Sequence, residues 1–131
     1  MHNQFNEERN EKDFFSDLQK LANHIKSKDL DDFVVVHHYD ADGLTSGSIC
    51  IKSLLRLGKK VNHICLKQLY KENINEIKYL GKNFLFVDFG SGQLDHLIEN
   101  FSPDSFFILD HHEPVLINGI IPKLNFHINP L

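Results

Sequence analysis

Apolar residues recur at spacings of three and four from Phe14 onward (Phe14, Leu18, Leu21, Ala22, Ile25), the stripe of an amphipathic helix. The stretch before it, Met1 to Asp13, is polar and charged and is expected to be a flexible N-terminus. Asp29-Leu30-Asp31-Asp32 closes the stripe, and the pattern then changes. Phe33-Val34-Val35-Val36 is apolar without alternation and largely β-branched, which predicts a strand covered on both faces, as in a parallel sheet. Phe84-Leu85-Phe86-Val87 and Ser105-Phe106-Phe107-Ile108-Leu109 repeat that signal.

Between these runs lie helical or turn-rich segments. Ser46 to Leu57 predicts a helix stopped by Gly58, Lys71 to Leu80 a weak one, and Gln93 to Asn100 another. Val61 to Leu66 reads as a strand, and Leu124 to Ile128 as one more. Strands alternating with helices imply right-handed crossovers and a mostly parallel sheet. The expected fold is therefore α/β, a Rossmann-like three-layer domain with helices on both faces of the sheet, preceded by an N-terminal helix. A length of 131 residues suits one such domain.

Composition narrows the function. Eleven Phe and no Trp favour packing material over an aromatic binding face. A net charge of -4 excludes a protein that holds duplex nucleic acid by bulk charge alone. The basic residues Lys52, Arg56, Lys59 and Lys60 read as a solvated helix face. Excess acid is also what a cation-binding chain shows before its metals are counted. Cys50 and Cys65 lie in apolar stretches and are expected as buried free thiols. With no apolar leader and no run of membrane-spanning length, the expected location is the cytoplasm, with no membrane partner.

The chemistry lies where the apolar runs stop. The first is followed by His37-His38-Tyr39-Asp40-Ala41-Asp42-Gly43, the second by Asp88-Phe89-Gly90-Ser91-Gly92, the third by Asp110-His111-His112. Singly, each has an ordinary explanation: a turn, a helix cap, a polar loop. In a parallel sheet, however, the C-terminal strand ends share one edge, where ligands bind. His38, Asp40, Asp42, Asp88, Asp110, His111 and His112 should therefore converge. Carboxylates and imidazoles together suit divalent cations such as Mn²⁺ or Mg²⁺. A pair of such cations can share a carboxylate, activate water and clamp a phosphoryl group. Gly43, Gly90 and Gly92 permit tight turns and close approach to phosphate. Strand alternation points His37 away from this edge. His24, His63, His96 and His127 lack acidic partners at strand ends and are expected on the surface or behind the site.

HYDADG, VDFGSGQ and LDHHEP, in that order, resemble the first three motifs of the DHH phosphoesterase superfamily over about residues 33 to 130. Family II pyrophosphatases and nanoRNases place a His four residues before the Asp-x-Asp pair. That position here is Val36, and the His stands at 38, as in archaeal RecJ-like exonucleases. The resemblance implies two divalent cations, Mn²⁺ in preference to Mg²⁺. By similarity His38 and Asp40 bind the first, Asp42 and His111 the second, and Asp88 bridges them. His112 contacts the scissile phosphate, joined by Gly90, Ser91 and Gly92, while Asp110 orients the His pair. The implied activity is 5′→3′ hydrolysis of single-stranded DNA or RNA to mononucleotides, with Asp88, Asp110 and His112 as catalytic residues.

The family's fourth motif carries a further metal-binding Asp shortly after an Asn-Pro segment. This sequence reaches Asn129-Pro130-Leu131. The domain expected from residue 14 to 131 is accordingly a partial one. The fourth motif and the substrate-gripping second domain would come from a second polypeptide or from a longer chain. An apolar patch near the C-terminus is expected to meet that partner. Two other readings stand beside this one. One is a non-catalytic replication scaffold associated with the GINS complex. The other is a phosphodiesterase for short oligonucleotides or cyclic dinucleotides.

Overall fold

The computed structural model describes the backbone from Asn3 to Leu131 and the side chains from Glu11 onward. The chain runs α1 (Asn3–Ile25), β1 (Asp32–His38), α2 (Ala41–Arg56), β2 (Lys60–Leu66), α3 (Lys71–Ile77), β3 (Asn83–Val87), a 3₁₀ turn (Ser91–Gln93), α4 (Leu94–Asn100), β4 (Phe106–Leu109) and β5 (His127–Ile128). All strand pairs are parallel, in the order β2-β1-β3-β4-β5.

The unalternating runs are explained by two cores, one on each face of the sheet. Phe33, Val35, Leu85, Val87 and Phe107 point to one side, under Leu21 of α1 and Leu54 of α2. Val34, Val36, Phe84, Phe86, Phe106 and Ile108 point to the other, under Ile74 and Ile77 of α3 and Leu94 and Leu97 of α4. Successive residues of a strand face opposite sides, so a strand buried on both must be apolar throughout. The three-layer α/β fold expected from the sequence is the fold observed.

Two helices begin earlier than their apolar stripes. α1 extends back to Asn3, ahead of the predicted start at Phe14. α2 begins at Ala41, five positions before the predicted Ser46, because Asp40 caps it: Asp40 Oδ1 accepts from the Gly43 amide at 2.8 Å. The cap satisfies an amide that the helix itself leaves unpaired. Asp42 and Gly43 therefore belong to the first turn of a helix and not to a loop.

One expectation about the thiols is corrected. Cys50 is partly buried, and burial pushes its pKa up to about 11, but Cys65 is exposed. β2 is an edge strand with a partly exposed side, so an apolar sequence there does not guarantee burial. No helix among the described residues is long and apolar enough to cross a membrane.

Candidate metal centre

From β1 the chain crosses one way to β2 and then returns past β1 to lay down β3, β4 and β5. This reversal opens a crevice between the C-terminal ends of β1 and β3, the usual ligand position of a doubly wound sheet. Register then sets the residues side by side. His37 pairs with Val87, and Val87 with Leu109. The residues one step further, His38, Asp88 and Asp110, consequently stand next to one another at the ends of three adjacent strands.

Asp88 is the middle of that row and is buried at 4% exposure. Its two oxygens face different partners. Oδ2 lies 3.3 Å from His38 Nδ1, and Oδ1 lies 2.8 Å from His111 Nε2. Its backbone has φ of 67°, a left-handed conformation that costs energy for a non-glycine residue and is typical of functional positions.

His38 Nε2 lies 2.8 Å from the Lys67 carbonyl. A carbonyl only accepts, so Nε2 carries the proton and Nδ1 is turned toward Asp88 and, at 3.0 Å, Asp40 Oδ2. The ring thus presents Nδ1 to two carboxylates at once. These three groups would suit a cation, and the outer bond from Nε2 to a backbone carbonyl is the support that metal-binding imidazoles use. The carboxylates carry the same signature. Burial and the adjacent Asp40 carboxyl push the pKa of Asp88 up, against the pull of His111 and His38. The Gly43 amide holds that of Asp40 down. Two carboxyls this close do not both ionise comfortably without added positive charge.

The donor atoms fall into two sets around Asp88. His38, Asp40 and Asp88 offer atoms within 4.8 Å of one another, as do Asp88, Asp110, His111 and His112. Asp42 stands at the rim, with its Oδ2 3.9 Å from His111 Nε2. Thus all seven predicted residues share the same strand edge. His37 does not; it lies under α2, with its Nε2 3.4 Å from His63 Nδ1. The residues present fit the binding of a divalent cation beside Asp88.

Asp110 has a different job from the other carboxylates. Its Oδ1 takes His112 Nδ1 at 2.7 Å and the His111 amide at 2.9 Å, and its Oδ2 takes the Ser91 amide at 3.1 Å. Burial alone would raise its pKa, but His112 and Ser91 outweigh that and hold it below the ordinary value. The same bond holds His112 above the ordinary value. A depressed carboxyl adds stability above its unfolded pKa and loses it as pH falls toward the folded one. A raised imidazole adds stability below its unfolded pKa and loses it as pH rises through the folded one. Asp110→Asn should therefore flatten both limbs of the metal-free stability profile, below about pH 4 and above about pH 6.5. Thermal melts across pH test this, and a variant keeping the wild-type profile would show the pair to be uncoupled.

Two openings meet at Asp88 and Asp110. One is a cleft of about 600 Å³ lined by His38, Tyr39, Asp40, Gly90, Gly92 and His112 among others. The second, of about 660 Å³, is an apolar groove bordered by Phe14, Leu18, Ile49, Leu109, Ile128 and Pro130, reaching Asp42 and His111. Gly90 has φ of 118°, and a Cβ there would stand 3.2 Å from Ile108, so this turn requires glycine. Ser91 is fully buried, with its amide committed to Asp110 and its hydroxyl to His127 and Asn129, which removes it from direct contact with a phosphate. His127 lies behind the site, one of the two places its sequence context allowed, and Asn129 is a site residue that sequence reasoning passed over, since nothing in the local sequence marks its contacts with Ser91 and His112.

A family model described as the N-terminal domain of the DHH family matches residues 32–130, and the chain belongs to that family. An uncharacterized protein of Methanocaldococcus jannaschii is 34% identical over 122 residues, a match covering 87% of this chain and 28% of that protein. The chain thus spans well under half of this relative's length. Among solved structures, exonuclease RecJ bound to manganese superposes with a TM-score of 0.62 at 27% identity, covering 79% of this chain and 28% of RecJ. RecJ from Thermus thermophilus in complex with Mn²⁺ gives 0.61 at 25% identity, covering 88% and 16%. The fold is RecJ-like.

Proposed function

We propose that this chain is the metal-binding part of a RecJ-like single-strand-specific exonuclease that hydrolyses DNA or RNA 5′→3′ to mononucleotides. The observation that carries the reading is Asp88, a buried carboxylate whose two oxygens face His38 and His111 separately. That arrangement supports a carboxylate shared between two cations. His38 and Asp40 would hold one cation and His111 and Asp42 the other. Likeness to RecJ structures containing manganese favours Mn²⁺ over Mg²⁺. When bound, such a pair supplies a Lewis acid and lowers the pKa of water near the phosphorus.

The chain's own residues supply the rest. His112 gives Nδ1 to Asp110, so its Nε2 remains available to the cleft. The Asp110 carboxylate beside it holds its pKa above the ordinary value and so favours the protonated form, which donates to a phosphoryl oxygen. Gly90 and Gly92 line the same cleft, and at Gly92, where a Cβ would meet nothing within 4 Å, the bare backbone leaves room for a phosphate to approach.

The side chains of Asp42 and His111 are 73% and 53% exposed, which supports completion of the second cation site by another segment. The apolar groove beside them supports a seat for that segment, on a second polypeptide or on a longer chain. The reading is tested by mixing this chain with a polypeptide spanning the rest of the M. jannaschii relative's length, with Mn²⁺ and a single-stranded oligonucleotide of defined sequence, and following the products over time by mass spectrometry. Mononucleotides should appear in order from the 5′ end and stop with chelator. No product, or product indifferent to chelator, would overturn the reading.

A further inference from the structure

Asp110 faces two ways. Its Oδ1 holds His112, and its Oδ2 is held by Ser91, which is itself the hub of a polar network reaching into β5. The Ser91 hydroxyl lies 2.8 Å from His127 Nε2 and 3.0 Å from Asn129 Nδ2. An amide nitrogen only donates, so Ser91 Oγ accepts from Asn129 and gives its one proton to His127. His127 suits that role: burial pushes its pKa down, which keeps it neutral with Nε2 free to accept. Asn129 uses its second amide hydrogen on the His112 carbonyl at 2.7 Å, and its Oδ1 accepts from the Leu131 amide at 2.9 Å. The Ser91 carbonyl accepts from the Val115 amide at 2.8 Å.

Every bond in this set has one consistent direction. The network spans the loop after β3, the loop after β4 and the strand β5. Asn129 touches two of them at once, through Ser91 Oγ and through the backbone of His112 itself.

We propose that Ser91, His127 and Asn129 are positioning residues that fix Asp110, and through it the ring of His112, so that β5 sets the aim of the phosphate-contacting imidazole. None of the three contacts reacting atoms. Their functional meaning rests on the reading of His112 given above, while the coupling itself is a property of this chain alone. Held by Asp110, His112 adopts the Nδ1–H tautomer, the less favoured form of free imidazole. His38, with Nε2 bonded to the Lys67 carbonyl, adopts the opposite tautomer and shares no partner with the network.

Long-range ¹H–¹⁵N NMR of the metal-free chain, at alkaline pH where the rings are neutral, reads both tautomers directly. In the wild type His112 should be Nδ1–H and His38 Nε2–H. Asn129→Ala and Ser91→Ala should each shift His112 toward a mixture dominated by Nε2–H and leave His38 unchanged. If Asn129→Ala does not fold, Asn129→Asp removes both donors at constant shape and is read in the same way. His112 retaining its Nδ1–H form in both variants, with only a lowered melting temperature, would overturn the proposal and leave the network a purely structural tie. With neither cation nor substrate present, that failure is separable from failure of the exonuclease reading.

Discussion

Asp88→Asn is expected to abolish tight divalent-cation binding and, in the metal-free chain, to raise thermal stability. The two effects have one cause. Asp88 is buried, lies beside the Asp40 carboxyl and is pushed to a higher pKa by burial and by that neighbour. A carboxyl whose folded pKa exceeds its unfolded one destabilises the fold at pH above the unfolded value, so at neutral pH its charge is a burden. Asn has nearly the same shape and tolerates the left-handed backbone that Asp88 adopts at φ of 67°, so it removes the charge without adding strain. It also removes the oxygen pair that faces His38 and His111. Loss of even an outer-sphere support lowers metal affinity by roughly 10- to 100-fold. Loss of a carboxylate that faces both His38 and His111 should exceed that range. Titration calorimetry with Mn²⁺ measures the first effect and melting with and without Mn²⁺ the second. Wild-type affinity in the variant would remove Asp88 from the centre of the site.

Gly43→Ala should be the most damaging small substitution in the chain. A Cβ at this position would fall on the carbonyl group of His38 and within 2.6 Å of the His38 Cβ. These atoms belong to the end of a central strand, paired on both sides, and have no room to retreat. The first turn of α2 would have to lift off β1, taking with it the Asp40 cap. Overpacking of this kind costs about 1–3 kcal/mol in ordinary cores, and a clash with fixed backbone belongs at or beyond the upper end. Denaturant unfolding gives the value. Gly92→Ala is the control: a Cβ there meets nothing within 4 Å, and its stability should match the wild type. Since Asp40 and Asp42 ride on the displaced turn, cation affinity should fall together with stability. An alanine variant as stable as the wild type would mean that α2 is free to shift from β1 at little cost.

Gly43 also shows why part of the site was hard to read. Ala41, Asp42 and Gly43 carry no apolar stripe, so hydrophobic periodicity starts α2 only after the turn that holds two of the predicted metal ligands. The signal for that turn is polar: an Asp whose side chain reaches the amide three residues on. Cys65 was misplaced for another reason. Its apolar neighbours predict burial, but burial depends on strand order, and β2 is at an edge. For Ser91 the glycine-flanked setting suggested an open phosphate loop. What buries it is β5, from the far end of the chain, which brings His127 and Asn129 to its hydroxyl.

By itself the sequence determined the parallel α/β class, because strands buried on both faces must be apolar at every position, and such runs stand out. It also determined that acid and histidine chemistry sits at their C-terminal ends, because the motifs abut those runs directly. Only the tertiary structure decided which side chains face one another. Register places His38, Asp88 and Asp110 abreast, sets Asp88 between His38 and His111, and turns Asp110 away to hold His112 and Ser91. Register and strand order arise from packing between segments distant along the chain, and no local pattern records them.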